Sequence, residues 1–233
     1  MTEASTGSPA EAARRRFAIA ADGTVSGCEE SWGKLGASLR YACRMAAQLD
    51  EVIGVGRLEW LTTLSSTSVR ARVGQSLEGL VTVTAEVERR SSPIHPVPQA
   101  KQDMSAQRAL NSSLRLVHGG LVADWCAAIT EDQRVIGAHL PEHGKTFDDA
   151  TTVLTQVGVR ALAIVGALHE SYRETAVMLD FRQGSLLIFD CDGLVIFAFA
   201  DKFDSLAATQ VIGRVRSRLA GQDLSLVWTY GTW

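Results

Sequence analysis

Residues 186 to 195 read LLIFDCDGLV, an apolar run closed by Asp190-Cys191-Asp192-Gly193 and followed at once by more apolar residues. Two chemistries fit. An aspartate phosphatase presents its nucleophile at the end of an apolar strand as Asp-x-Asp-Gly, with Asp190 attacking the phosphate and Asp192 as acid/base partner. Alternatively, Asp and Gly stand where a tight turn favours them, and the flanking runs are the strands of a hairpin. The surroundings decide between them. The phosphatase needs a parallel sheet and further Ser/Thr, Lys and acidic motifs, for which residues 194 to 233 leave too little chain. TAVMLDFRQ, SLLIFDCD and LVIFAFAD are moreover three consecutive strand-like runs, which contradicts the strand–helix alternation of a parallel sheet. The stretch reads as a β-hairpin within an antiparallel meander.

Upstream of this meander, Ala150, Leu154, Val157, Ala161, Ile164 and Leu168 recur at helical spacing. Thr146 and Asp149 make a capping-box-like start for that helix. Before it, DWCAAITEDQRVIGAHL reads as two strands around Glu131-Asp132. Residues 103 to 119 read as a helix with Asp103 as N-cap, Leu110, Leu114 and Val117 on one face, and Gly119-Gly120 as its end. Downstream, Asp204 caps a last helix with Val211, Val215 and Leu219 on one side and Arg214, Arg216 and Arg218 elsewhere.

The first half repeats this order. RFAIAADGTVSGC carries Asp22-Gly23 between apolar stretches, a hairpin signal. Leu35, Leu39, Ala42, Ala46, Leu49 and Ile53 form one helix face, stopped by Gly54 and Gly56. RLEWLTTLSS, TSVRARVG and GLVTVTAEVE then read as three strands, with Val81, Val83 and Ala85 alternating against Thr82, Thr84 and Glu86. Pro93, Pro96 and Pro98 mark a linker, since proline neither continues a helix nor donates a backbone hydrogen bond. The expected organisation is therefore a first unit over residues 1–90, a Pro-rich linker over 91–102 and a second unit over 103–233.

Other motifs lose on context. Gly144-Lys145-Thr146 resembles the end of a phosphate-binding loop, but His139 occupies the place of that loop's first glycine and Pro141 removes an N–H from the turn. His139, Glu142 and His143 spell a zinc-peptidase pattern that needs a helix, and Pro141 opposes one. Gly54-Val55-Gly56 ends a helix instead of opening one. Cys28, Cys43, Cys126 and Cys191 form no C-x-x-C pair and read as buried thiols. Trp32, Trp60, Trp125, Phe189 and Phe197 read as packing residues. Trp228, Tyr230 and Trp233, beyond the last helix, either cover an apolar surface of the chain or dock on a partner.

In composition, the 233 residues are 46% hydrophobic and 21% charged, enough to bury a sizeable core. A net charge of -3 gives no broad attraction to nucleic acid or anionic membrane. No uninterrupted apolar run reaches membrane-helix length, and the opening residues lack signal-peptide order. The expectation is a cytoplasmic protein without membrane insertion or nucleic-acid binding.

ITEDQRVIGA and FRQGSLLIFDCDGLVIFAFAD, within residues 103–221, and AADGTVSGC and IGVGRLEWLTTLSSTSVRARV, within residues 16–88, resemble the roadblock / dynein light chain family in pattern. The resemblance implies an α+β fold of two roadblock-like (profilin-like) α/β/α domains, each a five-stranded antiparallel sheet flanked by helices. It also implies pairing of such sheets edge to edge with the long helices side by side. Members are usually single domains, so the tandem suggests that the two halves pair within one chain as separate subunits do in relatives. The implied function is noncatalytic: binding a small Ras-like GTPase, regulating its nucleotide state, or scaffolding a complex with another roadblock-family protein or a second copy of the chain. No catalytic, cofactor or metal residue is implied. The contact surface read from helix amphipathicity is Arg40, Arg44 and Gln48. The alternative is a PAS-like sensory module holding a small molecule, because a sheet with one long helix can also enclose a ligand.

Overall fold

The hydrophobic alternation becomes one continuous sheet in the computed structural model, which describes residues 15–27, 33–64, 67–75, 81–89, 105–141, 147–169, 175–191, 193–224 and 227. The first half contributes β1 (Arg15–Ile19), β2 (Val25–Ser26), α1 (Gly33–Ala47), α2 (Asp50–Ile53), β3 (Leu58–Thr63), β4 (Thr67–Gln75) and β5 (Val81–Arg89). The second contributes α3 (Ala106–Leu121), β6 (Trp125–Thr130), β7 (Val135–His139), α4 (Phe147–His169), β8 (Ala176–Phe181), β9 (Gly184–Cys191), β10 (Leu194–Ala200) and α5 (Ser205–Leu219). Several features read from the sequence lie outside the described residues. They are the linker prolines, Cys28, Trp32, Asp103, Glu142 to Thr146, Asp192 and the tail residues Trp228, Tyr230 and Trp233.

The strand order is β2-β1-β5-β4-β3-β8-β9-β10-β6-β7, and every pairing is antiparallel. From either edge to the centre the sheet runs hairpin partner, hairpin strand, then the meander in reverse. Where the sequence reading expects two separate five-stranded sheets, the strands form one continuous ten-stranded sheet, with β3 against β8 at its middle. That seam pairs Trp60 with Asp180, Leu61 with Leu179, Thr62 with Met178 and Thr63 with Val177. The Leu64 amide extends it by donating to the Ala176 carbonyl at 2.8 Å.

Both long helices, α1 and α4, lie on the same face and pack side by side. Beneath them runs one core through both halves, including Phe17, Leu39, Leu61, Val83, Leu154, Ile164, Leu179 and Phe197. Each helix carries a glycine where it crosses the sheet. A Cβ on Gly36 would sit 2.7 Å from Val25, and one on Gly158 would sit 2.5 Å from Ile129. The opposite face differs between the halves. Over the second half, α3 and α5 close a second core containing Leu110, Leu114, Phe189, Ile196 and Ile212. That double cover explains why β8, β9 and β10 are apolar almost throughout. Over the first half the corresponding face is polar. Arg16 pairs with Glu86 at 2.7 Å, and the Arg70 guanidinium lies 4.5 Å from the centre of the Trp60 ring. The strict alternation of β4 and β5 encodes this face.

Three boundaries depart from the sequence reading. The first long helix does not run unbroken to Ile53. Its chain tightens at Gln48-Leu49, where the Leu49 amide bonds the Ala46 carbonyl three residues back, and the short α2 then ends at Gly54 in the left-handed region. The helix starting near residue 103 has Ser105 as its described cap, with the Ser105 hydroxyl accepting from the Arg108 amide at 3.4 Å. Gly119-Gly120 does not stop that helix: Gly120 faces Val211 of α5, where a Cβ would come within 3.1 Å. The left-handed end falls instead on Val122, at φ 51 and 84% exposed.

By length and composition Ala150–His169 is a helix able to cross a membrane, a property hidden by the polar residues that interrupt its apolar run. In the fold its core stripe lies on the sheet.

Candidate functional site

The α1/α4 layer carries the surface expected to meet a partner. Successive residues of α1 and the turn after it, Lys34, Ala37, Tyr41, Arg44 and Gln48, are exposed at alternating three- and four-residue steps and form one outward line. Tyr41 is a large apolar ring in that line, 46% exposed. The structure therefore brings Arg44 and Gln48 together, with Gln48 in the turn beyond the helix end. Arg40 is different. It is half-buried, and its guanidinium donates to the Ala21 carbonyl in the β1–β2 turn, tying α1 to the hairpin beneath it. Its charge thus serves local structure as well as the surface.

The Asp-x-Asp-Gly stretch that opened the phosphatase question forms the β9–β10 hairpin, with Gly193 at φ 85. Asp190 is held from below by α5. The Arg216 guanidinium donates to Asp190 Oδ1 at 2.6 Å, to the Asp190 carbonyl at 3.0 Å and to the Thr175 carbonyl at 3.0 Å. Asp190 Oδ2 lies 3.7 Å from His169 Nδ1 at the end of α4. The Arg216 side chain is only 8% exposed. An aspartate so engaged staples two strands, a turn and a helix together, the geometry of a structural ion pair.

The sequence reading sets Arg216 off the apolar side of its helix, and the structure corrects this. Ile212, Val215, Arg216 and Leu219 share one buried face at i, i+3, i+4 and i+7, and that spacing was available in the sequence. His118 and His139 are likewise brought together, their rings stacked at 3.9 Å between α3 and β7. Among the described residues, no group of three or more His, Cys, Asp or Glu side chains is placed to hold a metal ion. Cys43, Cys126 and Cys191 are buried. Burial pushes the Cys43 and Cys126 thiols up to about 12.

A third feature left no mark as a motif. Between the outer flank of α4, the β6–β7 and β9–β10 turns and the end of α5 lies a half-open cleft of about 830 Å³. Its sequence signal is ALAIVGALH, residues 161 to 169, which carries no charge on any side of the helix before its final histidine.

No protein-family profile matches the chain, and no curated protein does. Among solved structures the chain is similar to the gliding protein MglB from Thermus thermophilus. The identity is 12%, the match covers 53% of this chain and 97% of that one, and the TM-score is 0.35.

Proposed function

We propose that this chain is a noncatalytic regulatory or scaffold protein of roadblock type, working in the cytoplasm, whose two halves form a complete pair and present the α1/α4 layer to a small Ras-like GTPase. One observation carries the reading: β3 joins β8 edge to edge while α1 and α4 lie side by side on one face. This is the arrangement that the sequence resemblance implies between two subunits, here contained in one chain. The pairing consumes the two strand edges through which single-domain relatives are expected to dimerise. The chain therefore offers a platform whose two helices differ in sequence, basic and aromatic on α1, small and uncharged along much of α4. Such a platform binds a partner in one orientation, because a rotation by half a turn exchanges unlike surfaces.

The reading assigns no bond-making role to Asp190, whose oxygens are engaged by Arg216 and lie beside His169. On α1 it assigns partner contact to Tyr41, Arg44 and Gln48, with Arg40 supporting the helix from the hairpin side. The test is light scattering of the chain mixed with small GTPases of the same cell, loaded with GDP or a GTP analogue. The expected result is a complex that depends on the nucleotide and is weakened about tenfold or more by Arg44→Glu together with Gln48→Glu, a loss of about 1.4 kcal/mol. A complex indifferent to both substitutions would place the partner elsewhere, and no complex with any GTPase would remove the GTPase from the proposal.

A further inference from the structure

α4 is apolar around more of its circumference than its core requires. Leu154, Val157, Ala161, Ile164 and Leu168 face the sheet. Val159, Leu162, Ala163 and Gly166, again at i, i+3, i+4 and i+7, make a second strip that forms one wall of the 830 Å³ cleft. Val159, Leu162 and Ala163 are half-buried, Leu162 partly against the core, and Gly166 is exposed, so the strip keeps part of its apolar surface open to the cleft. No residue of α1 lines the cleft, which makes it separate from the line of Tyr41, Arg44 and Gln48.

The occupant's charge follows from the rim. Glu131 is exposed at the β6–β7 turn. The C-terminal ends of α4, at His169, and α5, at Leu219, both reach the cleft and bring their partial negative charge with them. The one arginine in the lining, Arg216, is turned toward Asp190, and His169 Nδ1 lies 3.7 Å from the same carboxylate. The field inside is therefore negative, and the wall is oily. Gly166 adds a steric argument. A glycine in a helix is unfavourable without a packing reason, and Gly158 has one in Ile129. A Cβ on Gly166 would meet nothing within 4 Å, so the space above it is open to a body from outside.

We propose that this cleft is a docking groove for a segment of a partner protein whose apolar side chains are flanked by Lys or Arg. Apolar side chains lie along Val159, Leu162 and Ala163, and the adjoining cations meet Glu131 and the two helix ends. The groove does not depend on the GTPase reading, and its test contains no GTPase.

Fluorescence anisotropy at physiological salt would compare two labelled helical peptides of one apolar pattern, one built of Leu and Lys and the other of Leu and Glu, on the full chain. The Leu/Lys peptide is expected to bind about tenfold tighter or more. Ala163→Arg and Glu131→Lys should each weaken it by a similar factor with circular dichroism unchanged. Thr82→Lys, on the opposite face of the first half, matches the charge change of Ala163→Arg and should leave binding as it is. Gly166→Ala should raise the melting temperature yet weaken the peptide, a combination that damage to the fold cannot produce. Equal affinity for both peptides, or full affinity in Ala163→Arg, would overturn the proposal. So would native mass spectrometry showing a small organic molecule retained by the wild-type chain and lost from Ala163→Arg, since the groove would then be a ligand pocket.

Discussion

At the scale of single residues, the account turns on Asp190 and Arg216. LLIFDCDGLV could be assigned to a hairpin from its neighbours, but the ion pair inside it could not, because an arginine in an amphipathic helix is ordinarily assumed to point at water. Its position four residues after Ile212 and three before Leu219 carried the information. Removing one member of such a buried pair leaves the other desolvated, so Arg216→Ala should lower stability by about 3 kcal/mol or more, measured by urea denaturation. Asp190→Asn keeps the shape and one acceptor and should cost less; equal and negligible losses would mean the pair does not hold the hairpin to α5. The cysteines give a pH-dependent expectation. Burial raises the folded thiols of Cys43 and Cys126 to about 12 from an ordinary value near 9. Their contribution to stability is therefore complete below pH 9 and lost as pH rises toward 12, because the unfolded chain releases those protons first. Native protein should leave both thiols unmodified by a thiol reagent at pH 8, and the denaturation midpoint should fall on going from pH 8.5 to 10.5. Rapid labelling of either cysteine in folded protein would contradict the burial.

At the scale of elements, periodicity made most of the fold readable. Strict alternation in TSVRARVG and VTVTAEVE marked strands, and the structure gives them one wet face; the apolar runs of β8 to β10 also marked strands, and the structure covers them on both sides. Helix ends were less readable, since they depend on tertiary neighbours. Gly119-Gly120 has the composition of a helix stop, yet Gly120 serves the approach of α3 to α5, and Val122 takes the left-handed turn instead. Gly36 and Gly158 are the same kind of residue, set where a helix approaches a strand closely. Gly158→Ala sets its methyl 2.5 Å from the Ile129 δ carbon and Gly36→Ala sets one 2.7 Å from Val25. Each should destabilise the fold by about 1 to 3 kcal/mol, against the gain of about 1 kcal/mol that alanine brings to an unhindered helix position such as Gly166. Thermal melts of the three variants side by side provide the check. A uniform gain would show that the helices do not press on the sheet at those points.

At the scale of the whole molecule, the order of elements was legible and the way the two stretches join was not. Sequence order showed hairpin, helix and meander twice, but nothing in it fixed whether the copies pair with each other or with another chain. The seam is written in residues such as Leu61 and Leu179 that any buried strand would carry, each contributing about 2 kcal/mol by burial whichever molecule supplies the partner. Pairing within the chain has the advantage that both halves are always present together, so the seam's formation is independent of protein concentration. The most direct measurement is a cross-link across that seam. Thr62 and Met178 are directly opposed on β3 and β8, at a separation that every antiparallel pair keeps within disulfide reach. A Thr62→Cys, Met178→Cys double variant, oxidised at micromolar and at tenfold higher concentration, would be weighed by light scattering in denaturant and on non-reducing gels. The account requires a disulfide within one chain at both concentrations and a mass of 25.1 kDa. A covalent dimer of twice that mass, or two cysteines that never join, would contradict it.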